Sequence, residues 1–461
     1  MRRRRLPPLL RAALCCAPAL TAAAAGTGCG GVGIAATGSV PGDHLTIYSS
    51  LPLQGPLAAI SAQIVNGEKL ALAETHGRVG RFRVYYQSLD DVNPKTGEWA
   101  PGETATNAKY AAQDSTTIAY LGDFNSEATA ISLPIVNAAG ALQVSPASAY
   151  VGLTSSRDAN QDEPERFYPT GKRTFARLMP ADPVQAAAQV ALMRSLGVKR
   201  VYVMEDQDPF DLPLAAILME DARRAGIEVV GESTIDTTAS TEFGGEATKV
   251  AESGAQAVFF SGLPDAGAIA LWQQLHAADP RLRLLGSSTL AEGFTAGSPA
   301  LASGAGASGA GSPSGGGPAN GSGSATGGGE ATTAGRSFAQ RIGAAGASTY
   351  LGSPVLPASM YPPLARGVLA SYRGQFHEAP SAYALYGYET MSSVLLAIRR
   401  AGRHGNDRQS VIRQFFKLHG RESVLGSYSI QADGDSTLTR YGIDRVSHGR
   451  PVFYRAFDAA P

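Results

Sequence analysis

The stretch YLGDFNSEATAISLPIVNAAG, residues 120–140, holds the residues best placed to do chemistry. A strand-like run stops at Gly122 and a helix-like run starts near Ser126, with Asp123, Phe124 and Asn125 between them. A strand–loop–helix corner leaves backbone N–H groups unpaired at the start of the helix. With the Asn125 amide and the Ser126 hydroxyl beside them, those groups suit an oxygen-rich ligand. The competing use is structural, with Ser126 capping its own helix.

Other chemistry finds little support. The seven histidines (44, 76, 276, 377, 404, 419 and 448) show neither H-x-x-x-H nor HExxH spacing, so no metal site is expected. No phosphate-binding Walker loop occurs, and the Ser-Gly pairs fall mainly in a low-complexity run where no strained nucleophile elbow forms. Asp90 and Asp91 could be an acid/base pair, but in SLDDVNPKTGEW the Asn-Pro step predicts a solvated turn. Asp433 and Asp435 read as a D-G-D hairpin turn rather than as metal ligands. Two G-x-G-x-x-G patterns, starting at Gly28 and Gly304, lack the strand and helix that a dinucleotide fingerprint requires. The expectation is a non-enzyme without a cofactor.

The elements that would hold the corner are legible along the chain. Short apolar runs recur at 45–50, 82–86, 117–122, 201–204, 227–231 and 257–260, and they read as parallel strands covered on both faces. Helical stripes lie between and after them: Val184, Ala187, Ala188, Ala191 and Leu192, and later Met391, Val394, Leu395 and Ile398. Repeated βαβα units predict doubly wound sheets, and 461 residues suffice for two lobes. The Gly/Ser/Ala-rich stretch 298–335 is expected to be a disordered surface insertion. Beyond it, alternation around ADGD and HGRP predicts antiparallel strands.

Charge and cysteines bound location and partners. Lys plus Arg equals Asp plus Glu at 39 each, which leaves no basic footprint for nucleic acid. MRRRR followed by AALCCAPALTAAAA reads as an export signal. Of the three cysteines, Cys15 and Cys16 fall inside that signal and Cys29 follows GTG, so the mature chain can form no internal disulfide. That box resembles the one cut and lipidated in bacterial lipoproteins, with Gly26 where a larger aliphatic is usual; a plain secretory signal is the alternative. The expected organisation is signal 1–28, tether 29–43, first lobe 44–176 and 347–418, second lobe 177–297 and 419–461, with 298–346 inserted in the second lobe.

The order of PLQGPLAAISAQIVNGEKLAL, LDD, IAYLGDFNSEAT, LQVSPASAYVGLT, YPTGKRTFARLMPADPVQAAA, VYVMEDQDPFDLPLA, AVFFSGL and YALYGYETMSSVLLAIRRAG resembles the type I periplasmic binding proteins. More narrowly, it resembles the leucine/isoleucine/valine-binding group of ABC importers, over residues 45–297 and 347–456. The resemblance implies two doubly wound, Rossmann-like α/β lobes joined by three hinge crossovers, with a small solute held in the cleft. It implies a monomer anchored through Cys29 on the extracytoplasmic face, serving an ABC permease and ATPase; a sensing lipoprotein is the alternative. Carried over by position, the site comprises Ile60, Asn125, Ser126, Ala147, Ser148, Ala149, Phe210, Leu263 and Ser288. Several positions depart from the pattern. Ile60 and Leu263 replace aromatics, Phe210 lacks a phenol hydroxyl, and Ala149 stands where a Thr is usual, leaving Ser148 as the nearby hydroxyl. Ser287, Ser288 and Thr289 occupy the place of the acid that would hold an ammonium, with Glu292 displaced. These departures imply a small polar solute but not specifically an amino acid.

Overall fold

The alternation of apolar runs with helical stripes produces two α/β lobes. The computed structural model describes residues 38–292 and 337–460. Cys29, the export segment and the stretch 298–335 lie outside the described residues.

In chain order the first lobe opens with β1 (His44–Leu51), α1 (Ala58–Ala73), β2 (Arg78–Val79), β3 (Phe82–Asp90), α2 (Pro101–Gln113), β4 (Thr117–Gly122), α3 (Ser126–Ala138), β5 (Leu142–Ser145) and β6 (Phe175–Arg177). Then follow α4 (Asp182–Ser195), β7 (Arg200–Glu205), α5 (Leu212–Arg224), β8 (Glu228–Thr234), α6 (Gly244–Ser253), β9 (Ala257–Ser261), α7 (Ala266–Ala278), β10 (Arg283–Gly286) and α8 (Thr289–Glu292). The remainder comprises α9 (Phe338–Arg341), β11 (Thr349–Ser353), α10 (Pro363–Phe376), α11 (Ala382–Ala401), α12 (Arg408–Phe415), β12 (Arg421–Ser423), β13 (Gly426–Tyr428), β14 (Arg440–Ser447) and β15 (Arg450–Asp458).

The first sheet has the order β2-β3-β1-β4-β5-β6 and is parallel except at the short β2–β3 pair. Every residue of β4 is buried, as a strand covered by helices on both faces must be. The second sheet has the order β15-β14-β11-β10-β9-β7-β8, with β14 and β15 antiparallel. Their turn places His448 and Gly449 at φ 51° and 70°, which suits a two-residue hairpin following the strand twist. One strand differs from expectation. The apolar run 227–231 predicts a strand covered on both faces, yet β8 forms a sheet edge and none of its residues is fully buried.

The chain crosses between lobes three times: after β6, between β11 and α10, and between β13 and β14. Two of these crossings fall elsewhere than the sequence suggested. β11 pairs with β10 and β14, so the chain leaves the second lobe after residue 353 rather than before 347. Val424, Leu425, Tyr428 and Ile430, expected in the second lobe, bury into the first-lobe core with Leu45 and Ile47. A five-residue buried strand carries no periodic mark of the sheet it will join. The return segment is fastened to the first lobe by α11, which packs along α1 with Gly67 and Gly387 at the close approach.

Candidate functional site

Parallel strands deliver their C-terminal ends to one edge of each sheet, so the loops that follow them face a common cleft. In the first lobe Asn125 is the residue before α3, at φ −76° and ψ 145°, and no side chain caps the helix. Ser126 therefore does not cap its own helix. Its hydroxyl accepts a hydrogen bond from Tyr150 N at 3.2 Å and ties two cleft loops together. Ser148, expected to offer a hydroxyl, is buried: Oγ lies 2.6 Å from Thr129 Oγ1 and donates to Asp123 O at 3.1 Å. The N–H groups of Ala147 and Ser148 donate inward to Ser145 Oγ at 3.1 and 2.9 Å. Ala149 O accepts from Asp182 N at 3.0 Å, at the start of α4.

The second lobe contributes the loop between β7 and α5. Phe210 N donates to Asp208 Oδ1 at 2.8 Å, and the Phe210 ring meets Tyr150 edge-on with centroids 4.9 Å apart. Tyr150 is buried, and its hydroxyl donates to Glu163. Asn160 Nδ2 bonds both Tyr150 Oη at 2.7 Å and Pro209 O at 2.8 Å. Asn125, Ser126, the 147–149 loop and Phe210 are thus brought together, with Tyr150 between them. Leu263 stands at the rim, 36% exposed, its N–H donating to Asp206 Oδ2 at 2.7 Å. Ser288 N donates to Gln185 Oε1 at 2.7 Å. Ile60 is half-buried and packs against the first-lobe core, as Ala147 does.

A cavity of about 450 Å³ lies along α3, lined by Glu127, Ala130, Ile131 and Pro134, by Arg166 and Phe167, and by Phe210 from the other lobe. Its surroundings are acidic. Burial raises Glu127 to about 7, and nearby Asp208 adds to the rise. Burial also raises Asp182 to about 7, against the lowering pull of Arg177. Asp211 is held well above the ordinary carboxylate range by burial and then by Asp206 and Asp208. The two cations close by are engaged. Arg166 pairs with Glu163 at 2.8 Å, and Arg177 bonds Asp435 at 2.7 Å and Tyr150 O and Thr154 Oγ1 at 2.6 Å. Glu127 is legible in the sequence as an acid in the first turn of the Ser126 helix, competing there with a ligand carboxylate, but sequence reasoning missed Tyr150, Asp182 and the three acids that DQDPFD carries around Phe210.

The turn expected of Asp90 and Asp91 needs correction. Asp90 does accept from Leu53 N at 2.9 Å and Gln54 Nε2 at 2.7 Å. Asp91 is fully buried, and neither carboxylate oxygen finds a partner beyond its own backbone. Burial, then Asp123 and Asp90, raise it to about 8. Among the described residues no group of three or more His, Cys, Asp or Glu is placed to hold a metal ion. Among them, too, no helix is long and apolar enough to cross a membrane.

Residues 46–325 match the sequence profile of the periplasmic binding proteins. The chain belongs to that family. No curated protein sequence matches it. Solved structures of periplasmic binding proteins share its fold at low identity. The leucine-binding protein LivK of Thermotoga maritima superposes with a TM-score of 0.65 at 18% identity, covering 90% of this chain and 98% of that one. The branched-chain amino acid transporter substrate-binding protein LivJ of Streptococcus pneumoniae, in complex with isoleucine, gives 0.61 at 18% identity over 90% and 98%. A solute-binding protein of an ABC transporter from R. palustris, in complex with 4-hydroxybenzoate, gives 0.64 at 14% identity over 91% and 98%. As in type I periplasmic binding proteins generally, two lobes flank one cleft and three crossovers join them.

Proposed function

We propose that this periplasmic binding protein is the extracytoplasmic solute receptor of an ABC importer, held to the membrane by a lipid on Cys29. The observation that carries the reading is the meeting of Ser126 and Tyr150 from one lobe with Phe210 from the other. A solute in that cleft is sensed by both lobes at once, and closing on it presents a new surface to a permease. The fold relatives that bind isoleucine and 4-hydroxybenzoate support a small solute.

Mass spectrometry of solute co-purified with the mature protein identifies the ligand, and calorimetric titration then reads the site. Phe210→Ala is expected to weaken binding by on the order of 2 kcal/mol through lost apolar contact. Ser126→Ala is expected to cost about 0.5–1.5 kcal/mol. Unchanged affinity in both folded variants places the solute elsewhere. For the anchor, Cys29→Ser is expected to move the protein from the membrane fraction to the soluble one; retention in the membrane rules out the lipid.

A further inference from the structure

Resting on the lipid anchor at Cys29, we propose that the end of the first lobe remote from the cleft is a docking surface for anionic lipid headgroups. A net charge of zero hides an uneven distribution. Acids gather at the cleft, where Glu127, Asp182, Asp206, Asp208 and Asp211 influence one another. Arginines gather at the opposite end of β1, around the β2–β3 turn and the end of α11. Arg78 pairs with Arg83 across β2 and β3, and His44 of β1 pairs with Arg83 on its other side. Arg81 Nη2 donates to Arg403 O at 3.4 Å, and Arg403 Nε donates to His404 Nε2 at 3.0 Å. Arg399 and Arg400 stand in the last turn of α11, just before them.

All six arginines are exposed. Among the described residues, none of the six forms an ion pair with a carboxylate. The acids at this end are already engaged. Asp43 faces His44 at 3.5 Å, Glu74 accepts from Tyr388 Oη at 2.6 Å, and Asp407 accepts from Ser410 N at 2.7 Å. Compensation of the α11 dipole accounts for Arg399 and Arg400. It does not account for Arg78, Arg81 and Arg83, which stand on a hairpin. Like charges gathered in this way repel one another unless an anionic surface faces them.

The course of the chain says which surface that is. The chain enters the fold inside this patch. Val40 N donates to Asn406 O and Asn406 Nδ2 to Val40 O, both at 2.7 Å, and Arg83 N donates to Asp43 O at 2.8 Å. Residues 30–37 separate Cys29 from Gly38, a reach of about 30 Å at full extension. A lipid on Cys29 therefore keeps this end, rather than the cleft, within that distance of the bilayer. Such tethering raises the local concentration of headgroups, so individually weak contacts suffice. Each arginine beside an anionic bilayer strengthens adsorption by about fivefold. Tyr85 adds an aromatic contact. It shares the exposed face of β3 with Arg83, is 48% exposed, and meets His44 edge-on with centroids 5.4 Å apart. An amphipathic ring of this kind suits the headgroup level. Docked by this end, the first lobe turns its acidic cleft away from the negative surface and toward the medium that supplies the solute.

The test sediments the soluble Cys29→Ser protein with vesicles of phosphatidylcholine alone or with about 30% phosphatidylglycerol. Binding to the anionic vesicles is expected to be at least about tenfold tighter at about 0.05 M salt, and to vanish at about 0.5 M. Replacing Arg78, Arg81, Arg83 and Arg403 together by Gln should weaken it at least about tenfold, with solute affinity unchanged. A control that loses the same charge from Arg194, Lys199, Arg223 and Arg366 should bind vesicles as the parent does. No binding, equal binding to both vesicles, or equal losses in the two variants overturns the proposal. Tighter binding to poly-L-glutamate than to the anionic vesicles assigns the patch to an acidic protein and overturns it too. Cell fractionation separates this inference from the anchor beneath it. A wild type that is soluble in cells refutes the anchor; an anchored wild type whose Cys29→Ser form ignores anionic vesicles leaves the anchor standing and removes the docking surface.

Discussion

Single residues in this protein carry ionisable groups that folding has taken out of water. Asp91 is the clearest case, because it is fully buried and neither oxygen has an outside partner. In the unfolded chain it ionises near 3.8, whereas in the folded protein it keeps its proton until about 8. Its stabilising contribution is therefore whole below the lower value and is lost as pH rises toward the upper one. Asp91→Asn removes that dependence. Between pH 5 and pH 8 the variant should gain on the wild type by at least about 1 kcal/mol in denaturant titrations. Parallel stability curves for the two proteins would show that Asp91 is solvated or paired. Glu68, also buried and raised to about 8, is present in both proteins and so cancels in the comparison.

At the scale of elements, the return of the chain to the first lobe depends on two helices meeting backbone to backbone. A Cβ at Gly387 would fall on Ile64 O of α1, and one at Gly67 on Ala384 O of α11. Carbonyl oxygens cannot rotate away as a side chain can, so the helices must separate. Gly387→Ala is expected to cost at least about 2 kcal/mol. Gly367, exposed inside α10 with nothing within 4 Å of its would-be Cβ, supplies the opposite result. Gly367→Ala should stabilise by about 0.5–1 kcal/mol through helix propensity and chain entropy. Chemical denaturation of the pair measures both signs. Equal effects would mean that the α1–α11 contact is looser than described.

At the scale of the whole molecule, Arg177 joins parts of the chain that cross between lobes. It ends β6, where the first crossover begins, and its side chain is fully buried. One guanidinium bonds Asp435 before the third crossover is complete, and also holds Tyr150 O and Thr154 in the loop facing Phe210. Arg177 N also donates to Gly434 O at 3.0 Å. Removing the guanidinium leaves buried acceptors and a carboxylate unpaired, so Arg177→Met is expected to destabilise by about 3–5 kcal/mol. Because the same group positions Tyr150, ligand affinity in the cleft should fall as well. A variant that loses stability but binds solute as the wild type does would separate the crossover from the site.

Much of this architecture is local and is therefore written along the chain. TIAYLG buries on both faces because it is apolar throughout, α3 begins at Ser126 after an extended Asn125, and HGRP turns because His448 and Gly449 accept positive φ. Family membership, too, follows from the sequence itself, over residues 46–325. What only tertiary structure decided is which partner each exposed group meets. Ser126 and Ser148 look alike as hydroxyls in cleft loops, but one ties Tyr150 and the other turns inward to Thr129. The acids of DQDPFD become a feature of the cleft only once Asp182 and Glu127, distant in sequence, stand beside them. Hydrogen-bond satisfaction and electrostatic environment are sums over neighbours in space. Periodicity along the chain fixes each element and its buried face, but those neighbours exist only after the lobes have folded together.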